Sequence, residues 1–143
     1  DSFRNRRCLA PADGWYEWKT DGKRKTPYFI HLPGEESFAF AGLWDRWEGT
    51  EVDPFASYAV ITKEAHESIG FIHHRMPVIL PERHWGTWLD ASASIETVST
   101  AMKDALGGFK SRTVSDLVND VKNEGPELSN PVKRDRQGTL ELP

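Results

Sequence analysis

Residues 15–32 read WYEWKTDGKRKTPYFIHL, and this stretch decides the fold. Aromatic residues crowd both of its ends, and aromatic side chains favour β-strands. Between them, Asp21-Gly22 is a dipeptide typical of the tight turn in a β-hairpin. We therefore predict one strand over 15–19, a turn, and a strand returning over 28–32, so that the sheet is antiparallel.

The sequence on either side of this hairpin continues the alternation of apolar runs and turn residues. Pro81 suits the first position of a helix over 82–89, and apolar residues three or four apart predict a second helix that ends at Gly107-Gly108. Further strands are predicted at 7–10, 38–43, 57–62, 78–80 and 109–115, with a polar loop over 44–55, a short helical piece over 64–69 and a loop from 119 onward. The pattern indicates an α+β fold.

Composition limits the class of protein. A chain of 143 residues fits one domain with a real core. Its net charge of −4 argues against broad, charge-driven coating of nucleic acid, although a local basic groove remains open because seven Lys and Arg residues fall within the first 25. The single cysteine excludes an internal disulfide and fits a reducing compartment. The start shows no secretory leader and no apolar run could span a bilayer, so we expect a cytoplasmic location.

Residues 70–77, GFIHHRMP, are the strongest candidate for chemistry. Histidine is the side chain whose unperturbed pKa lies closest to physiological pH, and arginine is the side chain that most often binds phosphate or carboxylate through paired hydrogen bonds. Pro77 favours an extended backbone at Met76, so the motif is predicted to be a loop of fixed shape. This combination indicates acid–base work on an anionic substrate. His73 and His74 should point to opposite sides if the loop is extended, so that at most one faces a given pocket.

Glu17 is the candidate carboxylate. In a strand it shares a face with Trp15, so we predict that the Glu17 carboxylate is largely buried and that desolvation raises its pKa, which favours its proton-donating form. The alternative is a solvent-facing glutamate on a half-exposed strand.

Metal and cofactor sites are not expected. His66-Glu67 begins like the zinc motif His-Glu-x-x-His, but the second histidine would stand at position 70, which is Gly70. No glycine-rich phosphate-binding motif occurs either. Cys8 lies in a strand-like context, where a buried structural thiol is the usual role. Arg6 and Arg7 beside it keep open a thiol nucleophile acting with His73.

Several motifs, in order, resemble those of the SOS response-associated peptidase (SRAP) family. They are RCLAPADGWYEWK at 7–19, TPYF at 26–29, AGLW at 41–44, IT at 61–62, IHHRMP at 72–77 and VSDLVNDVKN at 114–123. The resemblance runs from about Arg7 to Pro131. It implies a mainly antiparallel, barrel-like sheet with flanking short helices.

The resemblance also implies a function, namely binding of single-stranded DNA and covalent capture of abasic sites in the DNA-damage response. The family's nucleophile is an N-terminal Cys whose amine and thiol add to the sugar aldehyde to give a thiazolidine. By position, Glu17 and His73 are the assisting acid–base residues. Arg75 contacts a DNA phosphate, and Thr62 lies in the same site. His74 occupies a variable position.

The start of the sequence departs from the family pattern. The family's Met-Cys start and its Asn-Ala-Arg-x-Glu segment are expected before Asp1, so 1–143 is interpreted as one SRAP-like domain without its N-terminal part and without crosslinking activity by itself. Residues 132–143 are expected to be a flexible tail. Two rival functions stay open: a thiol peptidase using Cys8 and His73, and a non-catalytic module that binds single-stranded DNA.

Overall fold

The computed structural model describes residues 1–49 and 53–132. Their strands form three antiparallel sheets with the orders β1-β4-β5, β2-β3-β8 and β6-β7. The strands are β1 (Arg7–Ala12), β2 (Trp15–Asp21), β3 (Arg24–His31), β4 (Phe38–Trp47), β5 (Phe55–Val60), β6 (Thr62–Glu64), β7 (Arg75–Pro77) and β8 (Lys110–Thr113). The helices are α1 (Ser2–Asn5), α2 (Trp85–Leu89) and α3 (Ile95–Lys103), with 3₁₀ turns at Glu82–His84, Asp116–Asn119 and Pro126–Ser129.

The β2–β3 hairpin forms as predicted, but its turn is Gly22-Lys23, one residue later than the Asp21-Gly22 dipeptide suggests, and β3 begins at Arg24 rather than at 28. Asp21 pairs with Arg24, and Gly22 has φ of 59°, a left-handed conformation that glycine adopts without strain. Register then places Trp15 opposite Ile30 and Glu17 opposite Tyr28. Because directly opposed residues share a face, the Trp15, Glu17, Tyr28 and Ile30 side chains lie on one side of this sheet.

Trp15 packs against three phenylalanine rings in one of the two hydrophobic cores of the described residues. Its indole makes edge-to-face contacts with Phe38, Phe40 and Phe109, with ring centroids 5.2–6.2 Å apart. Aromatic pairs in this geometry are favoured beyond the area that they bury. Ile69 and Ile72, from the loop between β6 and β7, belong to the same core. The loop that carries the His-Arg motif is therefore packed onto the face that carries Glu17.

A second core lies on the other face of the β1-β4-β5 sheet. Its members are Ala41 of β4, Val78 and Leu80 after β7, Trp88 of α2 and Val98 of α3. The Trp88 side chain is fully buried, and its indole N–H donates to the Cys8 carbonyl at 2.8 Å. This core holds the short helices against the sheet that carries β1.

The predicted α+β class, mainly antiparallel with a few short helices, is confirmed. The three sheets do not close into a barrel. Among the described residues, no helix has the length and apolar character needed to cross a membrane.

Several predicted elements differ from those observed. The piece predicted as helical at 64–69 is a series of turns, in which the amides of Ile69 and Ile72 donate to carbonyls three residues earlier. The predicted loop at 44–55 begins only after Trp47, and residues 50–52 of it lie outside the described residues. The predicted strand at 57–62 is divided at Ile61 into β5 and β6. Of the predicted tail, 133–143 lies outside the described residues.

Candidate functional site

Arg75 and Thr62 are brought together by the β6–β7 ladder. Thr62 pairs with Pro77 and Glu64 with Arg75, so Thr62 and Arg75 are diagonal neighbours on one face. An Arg75 Nη donates to the Thr62 carbonyl at 2.8 Å and to its hydroxyl at 2.9 Å. Both residues are exposed. The contact fixes the guanidinium at the surface and leaves its remaining N–H groups free to bind an anion.

The His73 ring is held by its own loop. Its Nδ1 lies 3.1 Å from both the amide nitrogen and the carbonyl oxygen of Arg75. One ring nitrogen cannot accept from the amide and donate to the carbonyl at once, and the amide can only donate. We assign Nδ1 as the acceptor, which places the proton of the neutral ring on Nε2. Nε2 is then the nitrogen that can exchange a proton with a bound substrate.

The prediction that His73 and His74 point to opposite sides is wrong. Their ring centroids are 4.5 Å apart and their planes are inclined by 38°. The backbone is turning here, since the His73 amide faces the Ile69 carbonyl at 3.4 Å and His74 lies in a bend. Strand alternation therefore does not apply. His73 is half-buried and His74 is exposed, and the two rings lie against each other.

Glu17 lies near this loop but is half-buried, not largely buried as predicted. Its Oε1 accepts a hydrogen bond from the Trp18 amide at 3.2 Å. In the part of the chain that the structure describes, no hydrogen bond joins Glu17 to His73. The loop meets the sheet face of Glu17 at Phe71, whose ring contacts Tyr28, the register partner of Glu17, with centroids 5.8 Å apart.

Three residues of this region were missed at the sequence level. Lys19 shares the face of Glu17, and its Nζ lies 5.6 Å from the centroid of the Phe71 ring. Strand alternation could have identified Lys19, and a two-residue hairpin turn could have placed Tyr28 opposite Glu17. Phe71 gives no such signal, because its position depends on how the loop folds back onto the sheet.

Cys8 lies in a different place. It is half-buried on β1 and lines an open apolar groove of about 400 Å³ together with Trp44 and Tyr58. Burial raises the pKa of the Cys8 thiol, which disfavours the nucleophilic thiolate. Glu17, His73 and Arg75 do not line this groove. The arrangement gives no support to a Cys8–His73 catalytic pair.

No cluster of three or more His, Cys, Asp or Glu side chains suited to a metal ion occurs within residues 1–49 and 53–132. The acid–base and anion-binding groups named above are therefore the chemistry that this region offers. The loop carries the Arg75 guanidinium and the His73 imidazole, and the adjoining sheet face carries the Glu17 carboxylate. Groups of these types can bind a phosphate and transfer protons beside it.

Comparison with known proteins gives a consistent result. The sequence model described as SOS response associated peptidase (SRAP) matches residues 1–121. The chain is 37% identical over 127 residues to the abasic site processing protein YoqW of Bacillus subtilis, covering 87% of this chain and 57% of that protein. It is 32% identical over 151 residues to the abasic site processing protein HMCES of Gallus gallus, covering 92% and 45%. The chain thus spans about half the length of these relatives.

Solved structures share the fold. A protein from Bacteroides thetaiotaomicron superposes with a TM-score of 0.78 at 23% identity, over 92% of this chain and 59% of that one. A phage-related protein from Bordetella bronchiseptica gives a TM-score of 0.65 at 31% identity, over 80% and 56%.

Proposed function

Because the chain belongs to the SOS response associated peptidase (SRAP) family, we propose that it is the part of a DNA-damage-response enzyme that binds single-stranded DNA at abasic sites. The observation that carries the proposal is the Arg75 guanidinium held by Thr62 beside His73. The names of the relatives, abasic site processing proteins, supply the substrate. The proposed place of action is the DNA of the bacterial nucleoid, since a relative named for abasic site processing comes from Bacillus subtilis.

Arg75 and Thr62 form the phosphate-binding part of the proposed site. A guanidinium already fixed by two contacts loses less side-chain entropy when a phosphate binds, so the pair is preorganised. A phosphate contact positions the strand without reading its sequence. His73, whose Nδ1 is occupied by the Arg75 amide, presents Nε2 to the sugar of the same nucleotide.

His73 and Glu17 are the proposed proton carriers of the crosslinking reaction. An amine attacks the C1′ aldehyde carbon, and the resulting hydroxyl leaves as water after it receives a proton, which gives an imine. A thiol then adds across the C=N bond, so that sulfur bonds to carbon and its proton goes to nitrogen. Each step needs a group that exchanges a proton near neutral pH. The amine and thiol belong to the N-terminal Cys implied by the family resemblance, and Cys8 is not the nucleophile.

The binding test measures the anisotropy of a labelled single-stranded oligonucleotide that contains one abasic site. Arg75→Ala should weaken binding and reduce the slope of log affinity against log salt by about 0.7, the value for one phosphate contact on a single strand. Arg46→Ala is the matched control, because Arg46 is an exposed arginine on β4, in a different sheet from Arg75, and it ion-pairs with Glu48. Equal effects of the two substitutions would refute the phosphate role of Arg75.

The chemical test uses the chain joined to an N-terminal segment that begins with Cys, with crosslinks counted on denaturing gels. His73→Ala and Glu17→Gln should slow crosslinking while binding stays nearly intact. His74→Phe, which keeps a ring beside His73, should be close to wild type, whereas His74→Ala should be intermediate. Cleavage of a peptide substrate that is lost in both Cys8→Ala and His73→Ala supports the peptidase rival. Binding without any crosslinking supports the non-catalytic rival.

A further inference from the structure

A groove between β6 and α3 begins at the residue that holds Arg75. Its volume is about 440 Å³, within the range of small-molecule sites. One wall is formed by Thr62 and Lys63 of β6, and the other by Ser99, Met102 and Lys103 of α3. The latter three stand three and four positions apart, so they share one face of the helix.

Thr62 connects this groove to the proposed phosphate site. It lines the groove, while its hydroxyl and carbonyl accept hydrogen bonds from Arg75. The groove therefore opens beside the proposed phosphate position at Arg75. Phe3, Val78 and Met102 give the groove apolar surface, which suits a base more than a second ion.

The charge of the groove suits a phosphate backbone. Lys63 and Lys103 both line it, and neither makes an ion pair with any carboxylate of the described residues. Asp104, the chain neighbour of Lys103, is engaged by Arg83 and by His84 at 2.7 Å. The nearest acidic residue along the helix is thus already neutralised, and the lysines are available to an anion.

We propose that the β6–α3 groove binds the nucleotide adjacent to the one held at Arg75, with its base against Met102 and its phosphate at Lys63 and Lys103. The inference rests on the proposed function and extends its site by one nucleotide. Neither the binding motif at 70–77 nor the candidate acid–base residues include any group of α3, so the groove adds a separate contact to the single strand.

The test compares Lys103→Gln with Lys110→Gln, an exposed lysine on β8, in anisotropy titrations with labelled oligothymidine at several salt concentrations. Lys103→Gln should weaken binding about two- to five-fold at low salt and lower the salt slope by about 0.7. Lys110→Gln should change neither quantity. A second variant, Ser99→Trp, fills the groove without a change of charge and should weaken binding while the salt slope falls less.

The outcomes separate this inference from the proposed function. If Lys103→Gln and Ser99→Trp both behave like Lys110→Gln while Arg75→Ala weakens binding, the groove is not a nucleotide site and the proposed function stands. If Arg75→Ala is also without effect, both proposals fail. If the groove variants weaken binding and Arg75→Ala does not, the two sites are not continuous and the inference is overturned. Additive losses in the Arg75→Ala, Lys103→Gln double variant support it.

Discussion

Arg7 offers the sharpest test of how the fold is held together. It is 8% exposed and has no carboxylate partner among the described residues. Its guanidinium donates instead to four backbone carbonyls: Phe3 at 2.6 Å, Arg4 at 2.7 Å, Trp88 at 2.6 Å and Asp90 at 2.6 Å. Two of these carbonyls belong to α1 and two lie at the C-terminal end of α2, where the helix dipole favours a cation. One side chain thus ties both helices to β1.

The cost of Arg7→Met follows from these contacts. A hydrogen bond to a charged group contributes about 1.5–3 kcal/mol, so four would give about 6–12 kcal/mol if they were additive. They are not additive, because the carbonyls at the surface regain water and the desolvation cost of the buried guanidinium disappears. We expect a loss of about 3–5 kcal/mol in the free energy of unfolding, because a carbonyl left buried without a donor costs about 1–3 kcal/mol and only some of the four regain water.

Urea titration followed by tryptophan fluorescence measures this loss, since the chain has six tryptophans. Arg6→Met is the control at the adjacent position. Arg6 ion-pairs with Asp45 at 3.2 Å at the surface, with side chains 30% and 59% exposed, so its removal should cost about 1 kcal/mol or less. If Arg7→Met is no more destabilising than Arg6→Met, the four carbonyl contacts do not anchor the helices and the reasoning is refuted.

Two further predictions follow from the raised and lowered pKa values. Burial raises the pKa of the Cys8 thiol, so iodoacetamide should alkylate the folded chain more slowly than the unfolded chain at a pH near the ordinary thiol pKa of about 8.5. Rapid labelling of the folded chain counts against this. Cys8→Ala should leave DNA binding unchanged. Hydrogen bonds from His84 and Arg83 lower the pKa of the Asp104 carboxyl, so its contribution to stability is complete above the ordinary value of about 3.9 and is lost as pH falls through the lower folded value. Asp104→Asn should therefore be less stable than the wild-type chain at neutral pH, and the difference in stability should narrow as pH falls below the ordinary value. A difference that does not change with pH contradicts the assignment.

The hairpin was predictable because its information is local. Asp21-Gly22 indicates the turn to within one residue, and the two-residue loop that forms, Gly22-Lys23, sets the register that places Glu17 opposite Tyr28. The length of β4 was not predictable in this way. Trp44 to Trp47 has a polar, loop-like sequence, yet it pairs with β5 from Tyr58 back to Phe55. Backbone hydrogen bonds to β5 outweigh the low β-propensity of Asp45 there, while Trp44 and Trp47 are themselves residues that favour strands.

The relation between Arg75 and Thr62 was predictable only from the family resemblance. Thirteen residues separate them, and their contact depends on the β6–β7 register, which no turn motif between them specifies. Sequence periodicity can predict only that Arg75 and Thr62 are each exposed, and an exposed arginine or threonine can have many different roles. Arg75 and Thr62 meet because the turns at 66–72 reverse the direction of the chain and because the Ile69 and Ile72 side chains anchor the loop in the core.

The same turns explain why strand alternation failed for His73 and His74. Alternation requires an extended backbone, and the chain becomes extended only at Arg75, where β7 begins. The two histidines lie just before that point, so their rings meet where a strand would have separated them. The meeting has a chemical consequence, because a ring held by a neighbour and by the Arg75 amide cannot swing away from the guanidinium that follows it. Within three consecutive residues, the loop therefore couples the orientation of His73, the proposed proton carrier, to the position of Arg75, the proposed phosphate-binding residue.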